Sequence, residues 1–177
     1  MCGAMAMTQE STKRRIIVSF VDLLLNLAFS KISITKICNK SAINRSTFYE
    51  YFKNRNELLN CTFKMLTISS QHLTTSELLD WPLDTFIKIA KDPLPDIIEK
   101  QQHDSTFNQI YQNYFFNYYY GYFRHISWTS TVPAELFARV YVNTALSFVQ
   151  WEDLNQTKLS TERYNHYFHE IIRIPKF

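Results

Sequence analysis

The sequence predicts an all-α protein: a small N-terminal three-helix head carrying a helix-turn-helix, on a larger helical body. Three observations lead there. Only two glycines, Gly3 and Gly121, occur in 177 residues. A β-rich chain needs turn glycines, and a nucleotide-binding α/β chain needs a glycine-rich loop. Apolar residues recur at helical spacing along the chain, and serine, asparagine and proline fall where helices start and stop. Hydrophobic residues at 46% and aromatics at 16% supply a core and exclude global disorder.

The opening "MCGAMAM" lacks the apolar stretch of a signal peptide, and the native start is expected near Met5 or Met7. Over 12–29, apolar residues at 16, 17, 20, 21, 24, 27 and 28 form the stripe of an amphipathic helix, with Thr8 or Ser11 as its cap. "KRR" at 13–15 opposes the dipole of that helix, which a nearby anion would explain. Ser33 reads as the N-cap of the short helix "ITKICNK", and Asn44 as the N-cap of another, from Arg45 to about Phe52. Asn54 and Glu57 have the spacing of a capping box. They open a fourth helix through Leu58, Leu59, Thr62, Phe63 and Leu66 into the low seventies. The two short helices and their turn make a helix-turn-helix.

Beyond it, Pro82 opens a helix to about Lys91, "DPLP" interrupts, and "DIIEKQQ" forms a short helix. A long aromatic helix spans 105–128, another runs from Pro133 to about Leu154, and Ser160 caps a last one to about Ile174. The expected division is a helix-turn-helix head over 8–54 and a helical body over 55–177.

Charge and cysteines narrow the function. Residues 1–66 hold ten Lys/Arg and four acids, and residues 67–177 nine and twelve. A basic head on a mildly acidic body suits a polyanion met at one end, although clustering on a solvated face gives the same split. Cys2, Cys38 and Cys61 have the spacing of neither a disulfide framework nor a zinc site, and the last two read as core. No apolar run reaches the roughly 20 residues of a membrane span, so a soluble, reduced, cytoplasmic protein is expected. No nucleophile–base pair, paired carboxylates or metal cluster stands out. His166 and His169, three apart, lack an evident third ligand. Neither enzyme activity nor a cofactor is expected.

The stretch "AFSKISITKICNKSAINRSTFYEYFKNRNELL", residues 28–59, resembles the DNA-binding head of the TetR (tetracycline-repressor-like) family. That family has a phenylalanine ending helix 1, a Thr-capped "xxIAxxAGVS" and then "xGTxYxHFxxKxxL". Here the places read Phe29, Ser33, Ile37-Cys38, Ser41-Ala42-Ile43-Asn44, Ser46-Thr47, Tyr49, Tyr51-Phe52, Arg55 and Leu58, without a gap. The departures are Ser30 and Ala42 for glycines, Ser46 for the glycine that lets the helix approach DNA, Tyr51 for histidine and Arg55 for lysine. Alanine in a left-handed turn costs about 1 kcal/mol more than glycine, so strain is expected at Ala42.

Duplex DNA is the implied partner. A helix in the major groove reads bases from its N-terminal turn while surrounding donors hold phosphates. Asn44, Arg45, Ser46 and Thr47 occupy that turn. Arg45 suits a guanine edge, with a phosphate or solvent contact as the alternative. Ser33, Lys36 and Lys40 lie where the preceding helix crosses the backbone, and Arg55 opens the helix after. Ile43, Phe48 and Phe52 share an apolar face. Tyr49 and Tyr51 point away from it, and in the family these two places contact the DNA backbone.

"YVNTALSFVQWEDLNQTKLSTERYNHYF", residues 141–168, resembles the last two helices of the short C-terminal domain of many Firmicutes regulators. That implies a homodimer on a palindromic operator, paired through a four-helix interface including Leu136, Val140, Leu146, Val149 and Trp151. A monomeric core would use those residues equally well. Within "YQNYFFNYYYGYFRHISW", Tyr111, Phe115, Tyr118 and Tyr122, with Phe107, Tyr114 and Phe123, are expected to face inward, and Tyr119 and Tyr120 elsewhere. They form either an aromatic pocket for a hydrophobic or cationic small-molecule effector or ordinary core with dimer contacts. The implied function is a repressor released by that effector. The alternative is a DNA-bound regulator controlled by a protein partner, with no small-molecule pocket.

Overall fold

The computed structural model describes residues 2–67, 73–125 and 132–172, with side chains from residue 10 onward apart from 75 and 76. Among the described residues the fold is helical, with no strand longer than an isolated bridge between Thr67 and Ala90. No helix among them is long and apolar enough to cross a membrane. The chain forms two compact units. One is 1–66 with 92–110, the other 67–91 with 111–177.

The first unit holds α1 (Cys2–Asn26), a 3-10 turn (Phe29–Lys31), α2 (Ile34–Ser41), α3 (Arg45–Tyr51), α4 (Arg55–Leu66), α7 (Leu94–Gln101) and the start of α8 (Ser105–Phe123). α1 begins ten residues before its predicted start at 12 and ends at Asn26. Phe29, expected at its end, sits in the 3-10 turn instead. Each short helix is fixed by its caps. The Ser33 hydroxyl accepts from the Lys36 amide at 3.2 Å, and Asn54 Oδ1 accepts from the Glu57 amide at 2.9 Å. Glu57 closes the second half on the Lys53 amide, one residue before the cap, at 2.6 Å. α2 stops at Ala42, whose φ 51°, ψ 52° is left-handed, as the glycine replacement predicts. There the Ile43 amide reaches Cys38 O at 3.0 Å and the Ala42 amide reaches Asn39 O at 3.3 Å, a Schellman turn.

Phe20, Phe29, Phe63 and Phe107 form the aromatic centre of this unit, with ring centroids 5.6–6.4 Å apart along the chain of contacts, all edge-to-face. All four are fully buried, each burial stabilising by roughly 2–3 kcal/mol. Phe107 comes from far along the chain, and so does the polar grip on the same corner. Gln101 is 1% exposed; its Nε2 donates to Leu24 O at 2.5 Å and Leu27 O at 2.7 Å. Its Oε1 accepts from the Phe29 amide at 2.8 Å. Asp104 caps α8 by accepting from the Phe107 amide at 3.0 Å, and also accepts from the Ser30 amide at 2.7 Å. Burial pushes the Asp104 carboxyl up. The amides of Phe107, Ser30 and Thr106 and the Ser30 hydroxyl together outweigh that and hold it below its ordinary range.

The second unit holds α5 (Thr75–Asp80), α6 (Pro82–Ile89), most of α8, α9 (Ala134–Leu154) and α10 (Thr161–Ile172). α5 is an element beyond the expected set, opened by a full capping box between Thr74 and Glu77. α4 ends at Leu66, before the Thr67 bridge, and α8 at Phe123, before a turn at 124–125, both short of the predicted ends. The predicted end of the last helix lies outside the described residues. Tyr119, expected elsewhere, is buried at the centre, 4.8 Å from Tyr141 and 6.1 Å from Phe123 between ring centroids. Helical phase explains it, because 111, 115, 119 and 123 lie on one face. The Tyr141 hydroxyl donates to Leu78 O at 2.5 Å. Asn165, 4% exposed, accepts from the Leu83 amide and donates to Asp84 Oδ2 at 2.8 Å, docking α10 on α6. His169 bonds Asp80 O at 2.7 Å. Among the described residues no group of three His, Cys, Asp or Glu is placed to hold a metal.

Candidate nucleic-acid interface

On α3 the phase of the side chains separates core from surface. Phe48 and Phe52 are buried, 5.7 Å apart between centroids. Ile43, expected with them, is only half-buried, because it lies in the link after the Schellman turn. Tyr49 is 49% exposed and stands edge-on to Phe48 at 5.5 Å. Tyr51 is half-buried against Phe52. Arg45 and Ser46 are exposed and Thr47 half-buried. Arg45 Nη2 reaches back to the Tyr49 hydroxyl at 3.4 Å, a turn away on the same face.

Asn44 occupies the N-cap position, yet its side chain makes no capping bond and is exposed. The Ser33 oxygen accepts from the helix it caps, so its hydroxyl hydrogen stays available to an outside acceptor. Lys36 donates to Lys31 O at 3.0 Å from an exposed position. Lys40 is paired with Asp22 of α1 at 2.6 Å, a surface ion pair worth about 0.2–1 kcal/mol.

Arg55 is used differently from its neighbours. Its Nη1 donates to the carbonyls of Phe29, at 3.0 Å, and Ile32, and its guanidinium stacks 4.9 Å from the Phe29 ring. Part of its donor capacity is therefore committed to the corner between α1 and α2.

No protein-family model matches the chain. Among solved structures, a TetR transcriptional regulator from Streptococcus agalactiae 2603V aligns over 97% of this chain and 99% of its own, with TM-score 0.67 and 20% identity. The fold is that of a TetR-type regulator. A dihydroxyacetone kinase operon activator, DhaS, aligns over 92% and 94% with TM-score 0.47 and 18% identity. In sequence, 53 residues are 40% identical to the HTH-type dhaKLM operon transcriptional activator DhaS of Lactococcus lactis subsp. lactis strain IL1403. The match spans 30% of this chain and 28% of that relative.

In this TetR-type fold the structure brings Asn44, Arg45, Ser46, Thr47 and Tyr49 onto α3 and its cap. It adds neighbours that the sequence reading left out. A cleft of about 600 Å³ is lined by Thr12 and Arg15 of α1, Cys38 and Asn39 of α2, Ala42 and Ile43 of the turn, then Asn44 and Thr47. The sequence points to α1 through "KRR" at 13–15 as charges opposing its dipole, but α1 starts at Cys2, which puts them mid-helix and away from the terminal partial charge.

From Tyr111 onward the aromatic residues of α8 lie in the second unit. Tyr111 and Phe115 are buried, with centroids 4.6 Å apart, and Tyr118 packs on Phe115 at 6.2 Å. The Tyr122 hydroxyl donates to Leu73 O at 2.6 Å. Burial pushes the Tyr111 hydroxyl far above its ordinary pKa, so it stays neutral. A different apolar cleft, of about 530 Å³, lies between α9 and α10, lined by Thr144, Ser147, Phe148, Trp151, Tyr167, Glu170 and Ile171.

Proposed function

We propose that the chain is a homodimeric, sequence-specific transcription regulator that acts in the cytoplasm on duplex DNA. The observation that carries this reading is the surface of α3. Asn44, Arg45, Ser46 and Tyr49 are all exposed there, and among the described residues their side chains are used internally in the Arg45–Tyr49 hydrogen bond and in the packing of the Tyr49 ring on Phe48. The fold likeness supports it. The DNA-reading side chains lie within 8–54, with Ser33, Lys36 and Tyr51 as backbone contacts and Arg55 shared between the corner and a phosphate. Residues 55–177 supply dimerisation and control.

Dimerisation is supported by an apolar stripe on α9 and α10. Leu136, Val140, Trp151, Leu154, Tyr167 and Ile171 are between 39% and 77% exposed. Leu146 faces the protomer core instead, and Val149 is half-buried. Two heads give a palindromic operator with the affinity one cannot reach.

The leading mode is repression, released by a small molecule that favours a head arrangement unable to fit the operator. A second reading, control by a protein partner, is favoured by the close ring packing around Tyr111, Phe115 and Tyr118 and by the tied hydroxyl of Tyr122. Melting-temperature shifts across a compound library separate the two, since a body without a pocket gains no stability from any compound.

A footprint over the DNA upstream of the protein's own gene tests the central reading. Protection at low salt is expected, with affinity falling by a log–log slope of about −0.9 per neutralised phosphate. Absence of any protected site at low salt overturns it.

A further inference from the structure

We propose that the cleft between α1, α2 and α3 is a seat for one DNA backbone phosphate, with Arg15 as its cation. The inference deepens the DNA-binding reading and rests on it. Five polar side chains line this cleft: Thr12, Arg15, Asn39, Asn44 and Thr47. None makes a hydrogen bond or ion pair with another side chain or backbone group among the described residues. Elsewhere in this head Ser33, Lys36, Lys40, Ser41, Arg45, Asn54, Arg55 and Glu57 each have an internal partner.

No carboxylate lines the cleft. The floor is Cys38, Ala42 and Ile43, which offer an anion neither charge nor competition. One guanidinium with hydroxyl and amide donors from three elements is the donor set that backbone phosphates take in protein–DNA complexes. The cleft is open and holds a single cation, so it suits one phosphate of an extended polyanion better than an enclosed small ion. It also abuts Asn44 and Thr47, the first turn of the proposed reading helix. A phosphate here fixes the register of α3 in the groove.

The test uses the full-length protein on the duplex located by footprinting, compared with an unrelated duplex. Dissociation constants are measured across a salt series for the parent, Arg15→Gln, Asn39→Ala and Arg14→Gln, the last outside the cleft. Arg15→Gln is expected to weaken binding roughly tenfold on both duplexes and to reduce the salt slope by about 0.9, with melting temperature unchanged. Asn39→Ala weakens binding without changing the slope. Three results overturn the proposal. If the parent binds and Arg15→Gln matches it in affinity and slope, the seat is wrong while the DNA reading stands. If inorganic phosphate raises the melting temperature of the parent but not of Arg15→Gln, with the duplex slope unaltered, the cleft takes free phosphate. If the parent binds no duplex at low salt, the DNA reading falls and the seat with it.

Discussion

Ala42 sits at φ 51°, ψ 52°, where a Cβ crowds the backbone and glycine does not. Nothing about its side chain compensates, because it is exposed beside a polar cleft. Ala42→Gly is therefore expected to raise stability by about 1 kcal/mol in urea denaturation, with no change in fold. An unchanged or lowered midpoint would mean that the turn relaxes without strain. Tyr49 gives the opposite kind of test. Its ring is anchored on Phe48, while its hydroxyl meets only Arg45 and solvent. Tyr49→Phe keeps the packing and removes the hydroxyl, so melting should hold while operator affinity drops about fivefold, near 1 kcal/mol. Equal affinity of mutant and parent would remove Tyr49 from the interface.

At the scale of elements, the corner between α1 and α2 is held from three sides: by Gln101, by Asp104 and by Arg55. Gln101→Met keeps the volume but leaves two carbonyls and one amide without their partner, at a cost of about 2–4 kcal/mol. Chemical denaturation measures it, and a loss below half a kcal/mol would show that water replaces the amide. Asp104 adds a pH signature. Its folded pKa is depressed, so its contribution is complete above the ordinary value of 3.8 and is lost as pH falls through the lowered one. Asp104→Asn should flatten the loss of stability below about pH 4, seen by melting at stepped pH.

The caps at Ser33, Asn54 and Ala42 were legible in the sequence because they act on amides within four residues, and so was the phase that puts Phe48 inside and Tyr49 outside. Gln101 was not legible as a clamp, since a glutamine in "DIIEKQQ" names no partner 72–77 residues away. Arg55 read as a free cation for the same reason, its carbonyl partners lying 23 and 26 residues back. α5 was missed although Thr74 and Glu77 have the capping-box spacing, because six residues are too few for a periodic stripe.

At the scale of the molecule, the charge split is milder in three dimensions than along the chain. Residues 92–110 bring Asp92, Asp96, Glu99 and Asp104 against Lys100 alone, so the first unit carries +3 and the second is neutral. Any steering toward a polyanion then depends on the placement of individual cations such as Arg15 and Arg45 more than on net charge. The apolar stripe on α9 and α10 is the other molecular-scale feature. Trp151→Glu places a charge in the middle of it at a residue already 45% exposed, so the protomer should stay folded. The expected outcome is dissociation to monomers in sedimentation, with operator affinity lost alongside. A dimer that survives would move the interface elsewhere.

The grip of Gln101 and Phe107 on Phe29 also sets a timetable for synthesis. A ribosome adding about 5–20 residues per second completes Leu66 several seconds before Ile110. During that interval the helix-turn-helix has left the site of synthesis without the glutamine that receives its corner amide or the ring that covers Phe29 and Phe63. Until residues 92–110 are made, the corner between α1 and α2 therefore lacks the partners that close it.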